Sequence, residues 1–290
     1  MPRAKADGVE LEYDSFGDPA DPPLLLIMGL ATQMIGWPEG FCELLAGRGF
    51  HVTRFDNRDI GLSTQLDGVP KPDLMAIMGG DPATAPYLLE DMARDVVALL
   101  DTLDAARAHV VGISMGGMIA QELAIRHPER VLSLCSIMST TGDRSVGQPS
   151  QEALTAILLP PGTDRESAIE RGVTVLKVIS SPGYPPTEQW MRDKTAAAYD
   201  RAFHPEGGAR QFAAIVASPD RTEGLRALTL PTVVIHGEDD RLVDVSGGKA
   251  TAAAVPDAEL VLLPGLGHDL PEALWPVFAD AIARNAARAA

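Results

Sequence analysis

The sequence has few of the features that mark disulfide-rich, membrane-spanning or nucleic-acid-binding proteins. It holds only two cysteines in 290 residues, Cys42 and Cys135, which excludes a disulfide framework and gives no metal-type spacing. Basic residues number 24 against 40 acidic ones, and the net charge of −16 disfavours nucleic acid and anionic membranes as partners. No apolar run reaches the roughly 20 residues that a membrane-spanning helix needs. We therefore expect a soluble protein with reduced cysteines in its core.

Two further absences narrow its location and its chemistry. The first residues, MPRAKADGVELEYDSFGD, lack the apolar segment of a secretory signal peptide, so we expect a cytoplasmic protein. The sequence also lacks a phosphate-binding glycine loop, a flavin motif and a metal-ligand spacing. We therefore expect no cofactor and no metal. Nothing in the sequence fixes the oligomeric state.

Short apolar runs alternate with helical patterns along most of the chain. Residues 9–13 alternate apolar and polar side chains, as an edge strand with one buried face does. Continuous apolar runs, typical of strands buried on both faces, follow at 22–29, 50–56, 109–113, 131–138, 232–237 and 258–265. Helical patterns separate these runs. The alternation predicts an α/β fold in which a mostly parallel, twisted sheet is flanked by helices.

One region interrupts this alternation. Residues 141–229 contain no convincing strand but four helical patterns separated by proline and glycine turns. A helical block between two core strands is expected to lie over the edge at which the parallel strands end, where such sheets bind ligands. We therefore predict a core formed by residues 1–140 and 230–290, with residues 141–229 as an inserted helical cap.

The stretch HVVGISMGGMIAQ (109–121) carries a candidate nucleophile. Residues 112–116 fit G-x-S-x-G, which is weak by itself, but a buried strand precedes Ser114 and an apolar helix follows it. A strand–turn–helix of this kind presents the serine hydroxyl at a sharp corner, with the Met115 N–H as an oxyanion donor. Leu30, in the loop after LLLIMG, is positioned to supply the second N–H. The alternatives are a plain glycine-rich turn at Ser114 and an ordinary strand-ending turn at Leu30.

A serine nucleophile needs a base, and His268 is the best candidate of the six histidines. It lies in the loop PGLGHDLPE after the last predicted strand, on the side of the sheet where we expect Ser114. His236 ends a buried strand, where a structural role is more usual. The remaining four lie at strand starts, at the end of a helix or in the insertion.

The acid that orients the base is expected in a loop after a strand between Ser114 and His268. The segment VVIHGEDDRLVD supplies two adjacent carboxylates, and we predict Asp240, because the G-x-x-D spacing carries the chain past the strand end before the side chain turns inward. Asp239 would then face solvent or a local backbone donor. Asp143, after the preceding strand, is the alternative.

With Ser, Asp and His in this order, the sequence resembles the α/β-hydrolase fold family over nearly its whole length. RFDNRDIGLST (54–64) looks like the family's D-x-R-G-x-G-x-S segment, with Asp59 where glycine is usual. Residues 16–64 look closest to the aclacinomycin methylesterase-like carboxylesterase branch. That branch is similar in placing a helical cap between its sixth and seventh core strands. The usual His-Gly of the oxyanion loop is Met28-Gly29 here, which leaves the backbone role intact but removes a histidine that could organise the loop.

The combination predicts a serine hydrolase that cleaves small-molecule carboxylic esters through an acyl-enzyme with a Ser-His-Asp triad. A lactonase, a perhydrolase or an acyltransferase would use the same triad, and a non-catalytic ligand receptor on this fold is the alternative from another class. Trp37, Met115 and Trp190 are the predicted substrate contacts. The natural ester and its chain length are not fixed by the residues.

Overall fold

The computed structural model describes residues 2–6 and 8–289. These residues form a sheet of eight strands, which in chain order are β1 (Arg3–Ala6), β2 (Val9–Phe16), β3 (Pro23–Ile27), β4 (His51–Phe55), β5 (Ala108–Ile113), β6 (Val131–Ile137), β7 (Thr232–Gly237) and β8 (Glu259–Leu263). Their spatial order is β1-β2-β4-β3-β5-β6-β7-β8. The pairs β1–β2 and β2–β4 are antiparallel and the others are parallel. The prediction of a mostly parallel sheet is confirmed, while β1 was not predicted.

Helices connect the strands and cover both faces of the sheet. In chain order they are α1 (Glu39–Ala46), α2 (Leu74–Met78), α3 (Leu89–Thr102), α4 (Met115–Arg126), α5 (Gln151–Ile157), α6 (Arg165–Ile179), α7 (Glu188–Arg201), α8 (Pro205–Ala217), α9 (Thr222–Arg226), α10 (Val245–Ala254) and α11 (Trp275–Ala287). Within the described residues, no helix combines the length and apolar character required to cross a bilayer.

The central strands are apolar throughout because both of their faces are covered. In β3, Leu25 and Ile27 pack with residues of α3 and α4, whereas Leu24 and Leu26 pack on the opposite face with residues of α1 and α11. This alternation is the two-residue period of a strand. Both cysteines are free and buried, as predicted, and burial raises the pKa of the Cys42 thiol to about 12.

The residues between β6 and β7 form the helices α5 to α9, of which the first four agree with the predicted helical patterns and the short α9 was not predicted. Ile169, Val173 and Met191 make a small apolar cluster between α6 and α7, separate from the two large clusters on the sheet. The segment 64–86, between β4 and β5, contains the short helix α2, whose Ile77 is buried. The division of the chain into core and cap stays a prediction.

Candidate active site

Ser114 occupies a strained corner between β5 and α4. Its backbone has φ 56° and ψ −120°, outside the regions that a serine readily adopts. The neighbouring glycines are steric requirements of this corner. A Cβ on Gly112 would lie 2.1 Å from the Gly116 carbonyl oxygen, and a Cβ on Gly116 would lie 2.1 Å from that of Ile27. The strained backbone at Ser114 therefore places the partly exposed serine hydroxyl at the end of β5.

The loop after β3 passes directly beside this serine. A Cβ on Gly29 would lie 3.6 Å from Ser114 Oγ, so the chain at Gly29 is within contact distance of the hydroxyl. The next residue is Leu30, and its N–H has no acceptor among the described residues; the same holds for the N–H of Met115 at the start of α4. Two unpaired N–H groups flanking a serine have the arrangement expected of oxyanion donors, although their assignment stays a prediction.

Asp240 and His268 form a pair at the same edge of the sheet. His268 Nδ1 lies 2.7 Å from Asp240 Oδ2, while Asp240 Oδ1 accepts hydrogen bonds from the N–H groups of Leu242 and Val243 at 2.8 and 2.9 Å. Burial opposes the charged form of this carboxyl, but the charge of His268, its hydrogen bond and the neighbouring His236 outweigh it and hold the pKa of Asp240 well below its usual range. An ionised carboxylate on Nδ1 leaves Nε2 as the basic nitrogen of His268.

The alternative residues occupy other roles. His236 is fully buried, its Nε2 lies 2.8 Å from the Val243 carbonyl oxygen, and it stands 3.5 Å from Asp240 Oδ2. Asp239 is exposed and accepts a hydrogen bond from the Gly265 N–H at 2.9 Å. The Asp143 carboxylate accepts hydrogen bonds from the N–H and the hydroxyl of Ser145, two residues along its own loop. Of these acids, Asp240 is the one hydrogen-bonded to His268.

Ser114, Asp240 and His268 follow β5, β7 and β8, whose parallel arrangement brings their carboxyl ends to one edge of the sheet. Ser114 Oγ makes no hydrogen bond to another described residue, His268 included. The structure thus pairs the predicted acid with the predicted base, whereas the contact between base and serine stays a prediction. Catalytic hydrogen bonds of this kind often tighten only when substrate binds.

The end of α6 holds the loop that carries His268. The His268 N–H donates to the Ile179 carbonyl oxygen at 2.7 Å, and the Gly267 N–H donates to Ser181 Oγ at 2.9 Å. Ser181 in turn donates from its N–H (3.2 Å) and its hydroxyl to Asp269 Oδ1. These contacts could not be predicted from the sequence, because they join the insertion to a loop almost ninety residues later.

A second set of contacts joins α7 and α8 to the loops after β3 and β4. We call it the clasp, and it consists of Gln33, Asp56, Asp59, Arg201, Arg210 and Gln211. Within it, Arg210 makes a two-point ion pair with Asp59 at 2.8 and 2.9 Å, with both side chains at most 3% exposed. Asp59 has φ 68°, and its carboxylate also accepts from the Leu66 N–H. Asp59, which stands where the resembled family usually has a glycine, therefore forms a buried ion pair with Arg210.

The other half of the clasp is built around Asp56. Arg201 Nη1 donates to Asp56 Oδ2 and to Gln33 Oε1, both at 2.7 Å. Gln33 Nε2 donates to the carbonyl oxygens of Ala198 and Ala202 in and just after α7. Burial raises the pKa of Asp56, and Arg201 together with two backbone N–H groups offsets part of that effect.

The predicted substrate contacts lie in different surroundings. Trp37 is completely buried and stacks on Phe41 at a ring distance of 5.8 Å, a packing position. The Met115 side chain is also fully buried, in the apolar cluster beneath α4. Trp190 on α7 is 43% exposed, and the Lys194 ammonium lies 4.7 Å from the centre of its ring. Contact of these three residues with a substrate stays a prediction.

Comparison with known proteins agrees with this description. A family model for the α/β-hydrolase fold matches residues 22–272. The chain is 31% identical to rhodomycin D methylesterase DauP of Streptomyces sp. (strain C5), over 95% of this chain and 94% of that protein. It is 30% identical to rhodomycin D methylesterase DnrP of Streptomyces peucetius, with the same coverage.

The fold likeness extends to solved structures. The enol-lactonase from Burkholderia xenovorans LB400 superposes with a TM-score of 0.76 at 23% identity, over 98% of this chain and 99% of the other. At that identity the likeness concerns the fold alone. Together with the family match, it confirms the predicted fold class.

Proposed function

This chain belongs to the α/β-hydrolase fold family, and we propose that it hydrolyses carboxylic esters through an acyl-enzyme on Ser114. The observation that carries the proposal is the 2.7 Å pair of Asp240 and His268, which lies at the sheet edge where the strained Ser114 is presented. The predicted class of enzyme, a carboxylic ester hydrolase, is confirmed by the similarity to the two methylesterases.

In the first half of the proposed reaction, Ser114 Oγ attacks the ester carbonyl carbon. His268 Nε2 takes the proton that Oγ releases, and Asp240 stabilises the resulting imidazolium. The carbonyl oxygen becomes an oxyanion that the Leu30 and Met115 N–H groups receive. Collapse of this intermediate breaks the bond to the alcohol oxygen, to which His268 returns the proton, and leaves the acyl group on Ser114.

In the second half, water replaces the alcohol. His268 takes a proton from the water as it attacks the acyl carbon, and the same two N–H groups receive the second oxyanion. Collapse breaks the bond to Ser114 Oγ, which regains its proton from His268, and the carboxylic acid is released. This chemistry needs no metal or cofactor.

The substrate class follows from the relatives and from the place of the insertion. Both similar proteins are named methylesterases, so we propose a small-molecule ester, with methyl esters among the candidates. We further propose that residues 141–229 act as a cap over the triad. The contacts of α6 with the His268 loop and of α8 with the loop after β3 support this division, since they join the insertion to the loop that carries the proposed base and to the loop beside Ser114.

The test is hydrolysis of p-nitrophenyl acetate and butyrate by the wild type and by Ser114→Ala. Loss of the nucleophile is expected to lower kcat by about 10⁴- to 10⁶-fold, because base and acid then have no group to activate. Ser145→Ala, which removes an exposed hydroxyl bonded to Asp143, serves as the control and should retain wild-type rates. Equal rates for the wild type and Ser114→Ala would contradict the assignment.

The same assay separates the alternatives. Adding a simple alcohol to the ester reaction reveals acyl transfer as a transfer product, and replacing the ester by a lactone reveals lactonase activity. We expect the free acid as the main product.

A further inference from the structure

The main chain beside Ser114 turns sharply and is held from two sides. The Thr32 N–H donates to the Gly29 carbonyl oxygen at 3.3 Å, closing a turn in which Ala31 has φ 52°, in the left-handed region that an alanine rarely adopts. On one side of the turn, Asn57 Nδ2 donates to the Met28 carbonyl oxygen at 3.0 Å. The peptide unit that precedes the turn is therefore fixed.

Gln211 of α8 holds the other side. Its Oε1 accepts a hydrogen bond from the Ala31 N–H at 2.9 Å, and its Nε2 donates to the Arg58 carbonyl oxygen at 2.8 Å. The side chain is completely buried. The positions of its amide oxygen and nitrogen are determined, because the Ala31 N–H can only donate and the Arg58 carbonyl oxygen can only accept. One amide thus joins the loop after β3 to the loop after β4.

Two glycines at the start of α8 allow this close approach. A Cβ on Gly207 would lie 1.8 Å from the Asp59 carbonyl oxygen, and a Cβ on Gly208 would lie 3.1 Å from Ala31 Cβ. The ion pair of Arg210 with Asp59 fixes the same turn of the helix. Gln211 is therefore presented by a helix that is itself anchored.

We propose that Gln211 is a positioning residue for the oxyanion donor at Leu30. Asn57 fixes the peptide unit before that of the Leu30 N–H through the Met28 carbonyl oxygen, and Gln211 fixes the unit after it through the Ala31 N–H. The Leu30 N–H can therefore face the tetrahedral intermediate without rearranging. Gln211 acts through the main chain and not by touching the substrate. Met28 stands where the resembled family has a histidine, and here Asn57 of the core and Gln211 of the insertion hold the loop. The proposal rests on the proposed function, since it assumes that Leu30 serves as a donor.

The experiment compares Gln211→Met with Gln33→Met. Methionine matches the length of glutamine but makes neither hydrogen bond. Gln33 is a matched control, because it is also a buried amide that joins the loop after β3 to the insertion, yet it bonds Ala198, Ala202 and Arg201 and not the peptide units next to Leu30. Both variants are expected to lower Tm to a similar extent.

The readouts are kcat, KM and inhibition by butaneboronic acid, which forms a tetrahedral adduct with a catalytic serine. For Gln211→Met we expect kcat to fall by about 10- to 100-fold with little change in KM, since an oxyanion donor acts mainly in the transition state. In the same variant, the inhibition constant of the boronic acid should rise in proportion to the fall in kcat. Gln33→Met should keep kcat and boronic acid affinity near those of the wild type. Equal losses of kcat and of boronic acid affinity in the two variants, or a lower Tm with unchanged kcat in Gln211→Met, would overturn the proposal.

A second variant, Gln211→Glu, keeps an oxygen that can accept from the Ala31 N–H but loses the donor to Arg58. It is expected to retain more of kcat and of boronic acid affinity than Gln211→Met, and equal losses would also count against the proposal. Failure of the proposed function has a different signature. The wild type would then be insensitive to the boronic acid, and Ser114→Ala would be as active as the wild type.

Discussion

The two halves of the candidate site are built in different ways. The groups proposed to react lie on loops that directly follow β5, β7 and β8. Asp240 is held by N–H groups of its own loop, and the His268 loop is held in addition by the end of α6. The loops after β3 and β4 are instead held by the clasp, whose partners come from α7 and α8 more than a hundred residues later. The groups proposed to react are placed by the edge of the sheet, and contacts with the insertion hold the loops after β3 and β4 around them.

Two buried carboxylates illustrate the difference. Asp240 is paired with His268 and two backbone N–H groups, the arrangement in which the acid of a triad stabilises the imidazole while it gains and loses a proton. Asp59 is paired with the permanent charge of Arg210 and accepts from the Leu66 N–H, an arrangement with no proton to exchange. Disturbing the first should therefore change the reaction rate, and disturbing the second should change the stability.

The largest expected effect is that of His268→Ala. Removing the base leaves Ser114 without a proton acceptor, so kcat for p-nitrophenyl butyrate is expected to fall by about 10⁶-fold. His236→Ala is the matched control, since His236 also lies within 3.5 Å of Asp240 but bonds the Val243 carbonyl oxygen. It should lower Tm and retain most of kcat. The reverse result would transfer the role of base to His236.

Next in size is the effect of Asp240→Asn. The amide keeps the shape of the side chain but can no longer stabilise an imidazolium, and kcat is expected to fall by about 10⁴-fold. Asp239→Asn is the control, because it changes an exposed carboxylate whose contact is the Gly265 N–H. Similar losses of kcat in both variants would exclude the assignment of Asp240.

The pH dependence gives a second check on Asp240. Because its pKa is held well below the usual range, this carboxylate stays ionised wherever His268 functions, and the acid limb of the kcat/KM profile should show the slope of a single proton. The same depression stabilises the fold. That contribution is complete above the pKa of an unfolded aspartate, about 3.9, and is lost as the pH falls through the folded value. A two-proton acid limb would show that Asp240 itself takes up a proton in this pH range.

The strands and the residues at the edge of the sheet could be predicted because the patterns that indicate them lie within short stretches of the sequence. Buried strands read as continuous apolar runs, and the turns that carry Ser114, Asp240 and His268 come directly after them. The strand missed was β1, whose residues RAKA alternate charge and alanine over only four positions. A short edge strand of that composition has no apolar signal, and its pairing with β2 is visible only in three dimensions.

The clasp could not be predicted because its partners are distant in the sequence. Asp59 and Arg210 are separated by 151 positions, and Ala31 and Gln211 by 180. Two signals were nevertheless present. Asp59 replaces a glycine that is usual in the resembled family, and a buried acid requires a cation. The pair Gly207–Gly208 at the start of a helix indicates a close approach of another chain segment.

The smallest effect on kcat, but the largest on stability, is expected for Arg210→Met. This change leaves Asp59 buried without its counter-ion, and the free energy of unfolding should fall by about 3–5 kcal/mol. Denaturation by urea measures the loss. Arg165→Met, which breaks an exposed two-point pair with Asp200, should cost far less, because exposed pairs are screened by solvent.

Restoring the usual glycine tests whether the loss comes from the unpaired charge. In the double variant Asp59→Gly with Arg210→Met, both charges are removed and glycine adopts the positive φ at position 59 without strain. We expect the double variant to recover most of the stability that Arg210→Met loses, as a buried ion pair can often be replaced when both partners go. Strictly additive losses would mean that the two side chains stabilise the clasp independently, and that the ion pair is not what holds α8 against the loop after β4.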